Sequence, residues 1–233
     1  MLQGQIVPDN GSGTANLPID LDYNNVNGQW QIINGLPGGA TIDIDAVMTD
    51  PATTFEQAGG SLGGTQATGT GMTLEFDMQG TGAMSGFSRP LVVIPLNTNI
   101  ASFPPGGNYE MDAAPRMAFS PFQSFATDLV GMYGQITNPS AGDPDFDLLR
   151  VTAGTSFGMP SPGHTTLTQV PGNQWAVNSF FDITYRIDFV GAPGGQLGGM
   201  SGSTTGTIRM AVPEPGSMSF LAMGAVLLLR RRR

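Results

Sequence analysis

The stretch Phe181-Asp-Ile-Thr-Tyr-Arg-Ile-Asp-Phe189 (FDITYRIDF) puts Phe181, Ile183, Tyr185, Ile187 and Phe189 at every second position. Asp182, Thr184, Arg186 and Asp188 lie between them. Successive side chains of an extended chain point to opposite sides, so this reads as a strand with one apolar and one wet face. MTLEFDM (72–78) repeats the pattern, with Met72, Leu74, Phe76 and Met78 set against Thr73, Glu75 and Asp77. ATIDIDA (40–46) does so more briefly through Ile42 and Ile44, with Asp43 and Asp45 outward. Further strands are expected in Trp30–Asn34, Leu91–Leu96, Ser124–Ile136, Phe146–Ala153, Trp175–Phe180 and Thr204–Met210.

Turn clusters separate these runs: LPGGAT, AGGSLGG, FPPGGN, NPSAGDPD, PSPGH and GAPGGQLGG. Apolar spacing of three and four is not sustained anywhere before the last twenty residues. Many short strands joined by Gly/Pro turns predict an antiparallel arrangement, and one-sided alternation disfavours a parallel sheet covered on both faces. The expected fold is all-β: an antiparallel β-sandwich-like single domain over residues 1–210, its core between two sheets. One short hydrophobic helix is expected in the segment 211–233. GSLGG (60–64) and GQLGG (195–199) echo one another as glycine loops ahead of a Thr-rich strand.

Charge narrows the function. The 233 residues carry 18 acids against nine basic residues, all arginine, and four of those are Arg230–Arg233. Without the tail the body is strongly acidic. Nucleic-acid affinity rests on Lys and Arg neutralising phosphates, so nucleic acid is not an expected partner. Cysteine is absent, which excludes disulfides, zinc–thiolate sites and thiol nucleophiles.

Several motifs invite a chemical reading. GTSFG (154–158) matches G-x-S-x-G, but Pro160, Pro162 and Gly163 block the helix that must follow, and the single histidine, His164, precedes the next acid, Asp182. Ser156 is expected to be a turn serine and His164 an exposed loop residue. Asp143, Asp145 and Asp147 alternate in GDPDFD, as do Asp20, Asp22 and Asn24 in DLDYNN. Calcium takes several hard oxygen ligands, so these are weak calcium candidates, although neither has the Gly and Glu of an EF-hand at the sixth and twelfth positions. Solvated turn aspartates are the plainer reading. Trp30 and Trp175 are expected in the core. No catalytic residue is assigned, and the body is expected to be non-enzymatic.

The chain ends VPEPGSMSFLAMGAVLLLRRRR (212–233). Gly216–Leu229 is free of charge, and as a helix spans roughly 21 Å at about 1.5 Å per residue, short of about 30 Å of hydrocarbon. Arginine stems can snorkel to extend it, and the four arginines belong on the cytoplasmic side. Pro-Glu-Pro, an apolar run with a small residue, and a terminal Arg cluster, in that order, resemble the PEP-CTERM sorting signal of exported bacterial proteins. The resemblance covers the last 22 residues. It implies handling by an exosortase, an integral-membrane processing enzyme, with Pro213, Glu214 and Pro215 as the recognition motif. Phe220, Leu221, Ala222, Met223, Gly224, Ala225, Val226, Leu227, Leu228 and Leu229 would form a transient inner-membrane anchor, and Arg230, Arg231, Arg232 and Arg233 the stop-transfer block. Such proteins often accompany exopolysaccharide.

The expectation is therefore an exported cell-surface or matrix protein, anchored by its C-terminus and then processed. MLQGQIVPDNGSGT has no basic segment followed by an apolar run, so the export signal is missing from this sequence, as a start called too late would produce. Two alternatives are kept. A polysaccharide-binding module, with or without calcium, would show exposed aromatics beside Asp143–Asp147. A secreted hydrolase would show two acids in a cleft, or Ser156 within reach of His164.

Overall fold

The computed structural model describes residues 5–16, 21–49, 52–70, 72–93, 109–137 and 143–213. In chain order the strands are β1 (Gln5–Pro8), β2 (Tyr23–Val26), β3 (Trp30–Ile32), β4 (Ile42–Thr49), β5 (Ala52–Gly59), β6 (Gly64–Thr70), β7 (Thr73–Gly80), β8 (Ser88–Val93), β9 (Tyr109–Ala113), β10 (Phe122–Thr137), β11 (Phe146–Ala153), β12 (Pro162–Val170), β13 (Gln174–Gly191) and β14 (Ser201–Ala211). Every pairing is antiparallel. The all-β antiparallel expectation holds.

Where two sheets were expected, the fourteen strands form one continuous sheet. Its spine is a long three-strand ribbon. β10 runs along one side and β13 along the other. The middle line is β12 followed collinearly by β11, since Phe122–Asp128 pairs with β12 and Met132–Thr137 with β11. β13 matches both in the same order. The middle strand is broken by the excursion Gly154–Ser161, closed by a bridge between Gly154 and Met159. Gly154 allows this break: at φ +108° a side chain would be strained, and its Cβ would lie 2.5 Å from the Val130 carbonyl. β10 shifts register opposite it, between Leu129 and Gly131.

From β10 the sheet continues through β9 and β6 to β5; from β13 it continues through β14, β2, β4 and β7 to β8. The second wing doubles back over the ribbon. Trp30, on β3 alongside β4, stacks on Tyr185 of β13 at 4.3 Å, and the Gln31 amide donates to the Tyr185 hydroxyl at 2.9 Å. The core lies between these layers. β13 supplies Phe181, Ile183, Tyr185, Ile187 and Phe189, while β4 and β7 supply Ile42, Ile44, Leu74, Phe76 and Met78. Trp30 and Trp175 are 0% and 1% exposed, so both fill the core as expected.

Some boundaries moved. Trp175–Phe180 and Phe181–Phe189 are one eighteen-residue strand. PSPGH is not wholly a turn: β12 starts at Pro162, where a strand's first residue tolerates a missing N–H, so His164 is a half-buried strand residue. GSLGG and GQLGG each connect antiparallel neighbours, β5 to β6 and β13 to β14. The expected C-terminal helix lies outside the described residues. Among the described residues no helix is long and apolar enough to cross a membrane.

Trp30→Ala removes the largest side chain from between the wings. It is expected to lower unfolding stability by about 3–5 kcal/mol, measured by urea denaturation monitored through the remaining Trp175.

Candidate functional site

Of the predicted tail, only Val212 and Pro213 are described; Glu214, Pro215, Phe220–Leu229 and Arg230–Arg233 lie outside the described residues. β14 is paired on both sides, with β13 and with β2. Beyond it the Val212 amide donates to the Ser179 carbonyl at 2.9 Å, and the Val212 side chain is buried. Pro213 is the first exposed residue after the sheet. The Pro-Glu-Pro sequence thus begins at the first exposed residue after the sheet. An open cleft of about 610 Å³ flanks this exit, and its lining includes Asn178, Phe180, Arg209 and Pro213. The Arg209 guanidinium sits 4.0 Å over the Phe180 ring and makes a two-pronged ion pair with Asp182 at 2.7 and 2.6 Å.

The Asp143 loop holds a cation, but it is an arginine. Asp143 accepts from both terminal nitrogens of Arg89, at 3.0 and 2.7 Å, and Asp145 accepts from Arg89 at 2.8 Å. Asp143 also caps its own turn through the amides of Asp145 and Phe146. Asp143 is buried rather than solvated, because β8 delivers Arg89 from 54 residues away. The calcium reading of Asp143, Asp145 and Asp147 meets a seat already filled by guanidinium. Asp20 lies outside the described residues, and Asp22 is exposed. No exposed tryptophan stands beside this loop, since both are in the core.

The G-x-S-x-G reading fails structurally. Ser156 sits in an exposed 3-10 turn within the Gly154–Ser161 excursion, with no helix after it. His164 Nε2 instead shares a 2.8 Å hydrogen bond with Ser124 Oγ, across β12 and β10. No carboxylate hydrogen-bonds this imidazole among the described residues, and the backbone on both sides of the pair is engaged in sheet ladders.

A carboxyl cluster built around β9 is not anticipated from the sequence. Tyr109, Met111 and Ala113 face the core, which turns Glu110 and Asp112 to the opposite side, yet all five residues are buried. Register brings Asp112 between Gln66 on β6 and Asp128 on β10, and Glu110 between Thr68 and Gly131. Asp112 Oδ2 accepts from the Ser61 amide at 2.8 Å and from the Ser61 hydroxyl. Glu110 Oε1 accepts from Gln66 at 2.9 Å, and Asp128 accepts from Thr155 at 2.6 Å. Glu110 Oε2 and Asp112 Oδ1 are buried without a hydrogen-bond partner among the described residues. Burial pushes the Glu110 carboxyl up to about 7, helped by the charges of Asp112 and Asp128 and opposed by the Gln66 bond. Asp128 is also raised, by burial first. Burial thus favours the protonated forms of Glu110 and Asp128. Among the described residues no group of three or more acid or histidine side chains is placed to hold a metal ion.

No family model, curated protein or solved structure matches the chain.

Because the folded state binds the Glu110 proton more tightly than the unfolded chain, stability falls as pH rises from the ordinary value of 4.5 toward about 7. Asp128 acts in the same direction. Glu110→Gln keeps the bond to Gln66 available and removes the charge. It is expected to flatten this decline and raise the melting temperature at pH 8 by about 2–4 °C, the shift for about 1 kcal/mol in a domain of this size. Calorimetry at pH 5 and pH 8 checks it.

Proposed function

We propose that this chain is an exported, non-enzymatic cell-surface or extracellular-matrix protein, sorted and processed through a PEP-CTERM tail. The carrying observation is where the described fold ends relative to the Pro-Glu-Pro sequence. The sheet closes at Ala211, Val212 seals against Ser179, and the Pro-Glu-Pro motif starts at the first exposed residue. Two prolines keep this segment extended, the form a protease or transpeptidase active site accepts. Removal of everything after Pro215 leaves every core residue of the described body in the chain, the last of them Val212. The acidic body and the arginine block belong on opposite sides of a membrane by charge.

Deleting 216–233 is expected to leave the melting temperature unchanged and move the protein from the membrane fraction to the medium. Retention of the truncated protein in the membrane fraction contradicts the anchor assignment.

A further inference from the structure

Beside the β5 edge of the sheet runs a groove of about 560 Å³, between the loop 9–16 and the β5–β6 hairpin. Glu56 of β5 and Arg116, just after β9, line it together, and both also line a smaller cavity of about 20 Å³ beneath. They are close enough to influence each other electrostatically, yet neither belongs to the four ion pairs among the described residues. Burial raises the Glu56 carboxyl and lowers the Arg116 guanidinium, each against the other's charge. A half-buried acid and base that face one groove without touching leave room for a group that accepts from one and donates to the other.

Arg116 is fixed in place. Its Nε donates to Thr14 at 2.8 Å, its Nη2 donates to the Ala15 carbonyl at 2.8 Å, and its plane covers Phe125 at 4.6 Å. Its Nη1 carries no hydrogen bond among the described residues. The opposite wall is equally set. Asp9 accepts from the Gly11 amide and from Trp175 Nε1, at 2.7 and 2.9 Å, and Gln123 donates to the Gly13 carbonyl at 2.7 Å. The groups this wall presents are amides and hydroxyls, among them Asn10, Ser12 and Asn16. Against Gly13 of the same loop, Phe119 adopts φ 61°, rare for an aromatic residue. Its amide is tied to the Gly13 carbonyl at 2.9 Å, its ring packs on Gly13, and it remains 78% exposed. Strain at an exposed ring, held by the same loop that walls the groove, is the kind of outlier that marks a ligand site.

We propose that this groove binds a neutral polyhydroxylated ligand, a saccharide chain, with hydroxyls bridging Glu56 and Arg116 and a sugar ring resting on Phe119. A hydroxyl both donates and accepts, so one diol satisfies the acid and the base at once. The C–H face of a pyranose meets an aromatic face without needing a charge. A polyanion is disfavoured by the 18 acids of the chain, and an apolar ligand by the amide-lined wall. The inference does not depend on the tail.

The test is native affinity electrophoresis of the full-length chain in gels containing hydroxyethylcellulose, xylan, mannan or dextran, with alginate as the anionic comparison. Retardation is expected in at least one neutral gel. Glu56→Gln and Phe119→Ala should each weaken it about tenfold, the effect of about 1.4 kcal/mol. Ala58→Trp, which fills the groove from an exposed position and removes no side-chain hydrogen bond, should abolish it at unchanged melting temperature. Migration unaffected by every neutral polysaccharide, retardation by alginate alone, or retardation that survives Ala58→Trp and Phe119→Ala overturns the proposal.

Discussion

Eighteen residues of uninterrupted extended backbone, Gln174–Gly191, hold ladder bonds to β1, β12 and β11 along their length and to β14 beside them. An element this long can serve as a spine only if every second side chain is apolar, because a single slip in register exposes the whole buried set. β13 satisfies that condition at Trp175, Val177 and Phe181–Phe189, and at the one polar position of the row, Ser179, the buried hydroxyl is hydrogen-bonded to Thr165 and Tyr23. The wing carrying β4 and β7 then has one place to fold, onto the row Ile183–Tyr185–Ile187, with Trp30 as the wedge between the layers. With no cysteine to cross-link it, the architecture rests on this packing and on the ladders.

How legible each strand was depended on what its two faces meet. β4, β7 and β13 alternate cleanly because one side is core and the other is wet, and periodicity reports that contrast directly. β6, GTQATGT, carries small residues at its inward positions and offers no apolar signal. β9, YEMDA, alternates as a half-wet strand would, but Glu110 and Asp112 are buried. Nothing local distinguishes a buried carboxylate from a solvated one. The cluster exists because register sets Asp112 opposite Asp128, and the Arg89 clamp exists because β8 meets the turn before β11, 54 residues along the chain. The groove is less legible still, since its walls come from the loop 9–16, the β5–β6 hairpin and the turn after β9.

The positions of charge form a consistent pattern. Arg89 and Arg209 are each claimed by aspartates on neighbouring elements. Glu56 and Arg116 break this pattern by facing each other unpaired at the sheet edge, and Glu110 breaks it by keeping its proton to about pH 7. Both exceptions flank the β5–β6 hairpin. Gln57, which lines the groove, donates to Gln66 at 2.5 Å, and Gln66 donates on to Glu110. The edge of the sheet is therefore linked by hydrogen bonds to its buried acidic face.

The central claim, a self-contained β body delivered by a removable tail, is tested most directly by the intact mass of the protein recovered from the envelope and medium of its native host. The account predicts a chain that ends near Pro215, without the apolar run or the arginines. A mass that ends at Arg233, in protein recovered from the cytosol, would contradict it.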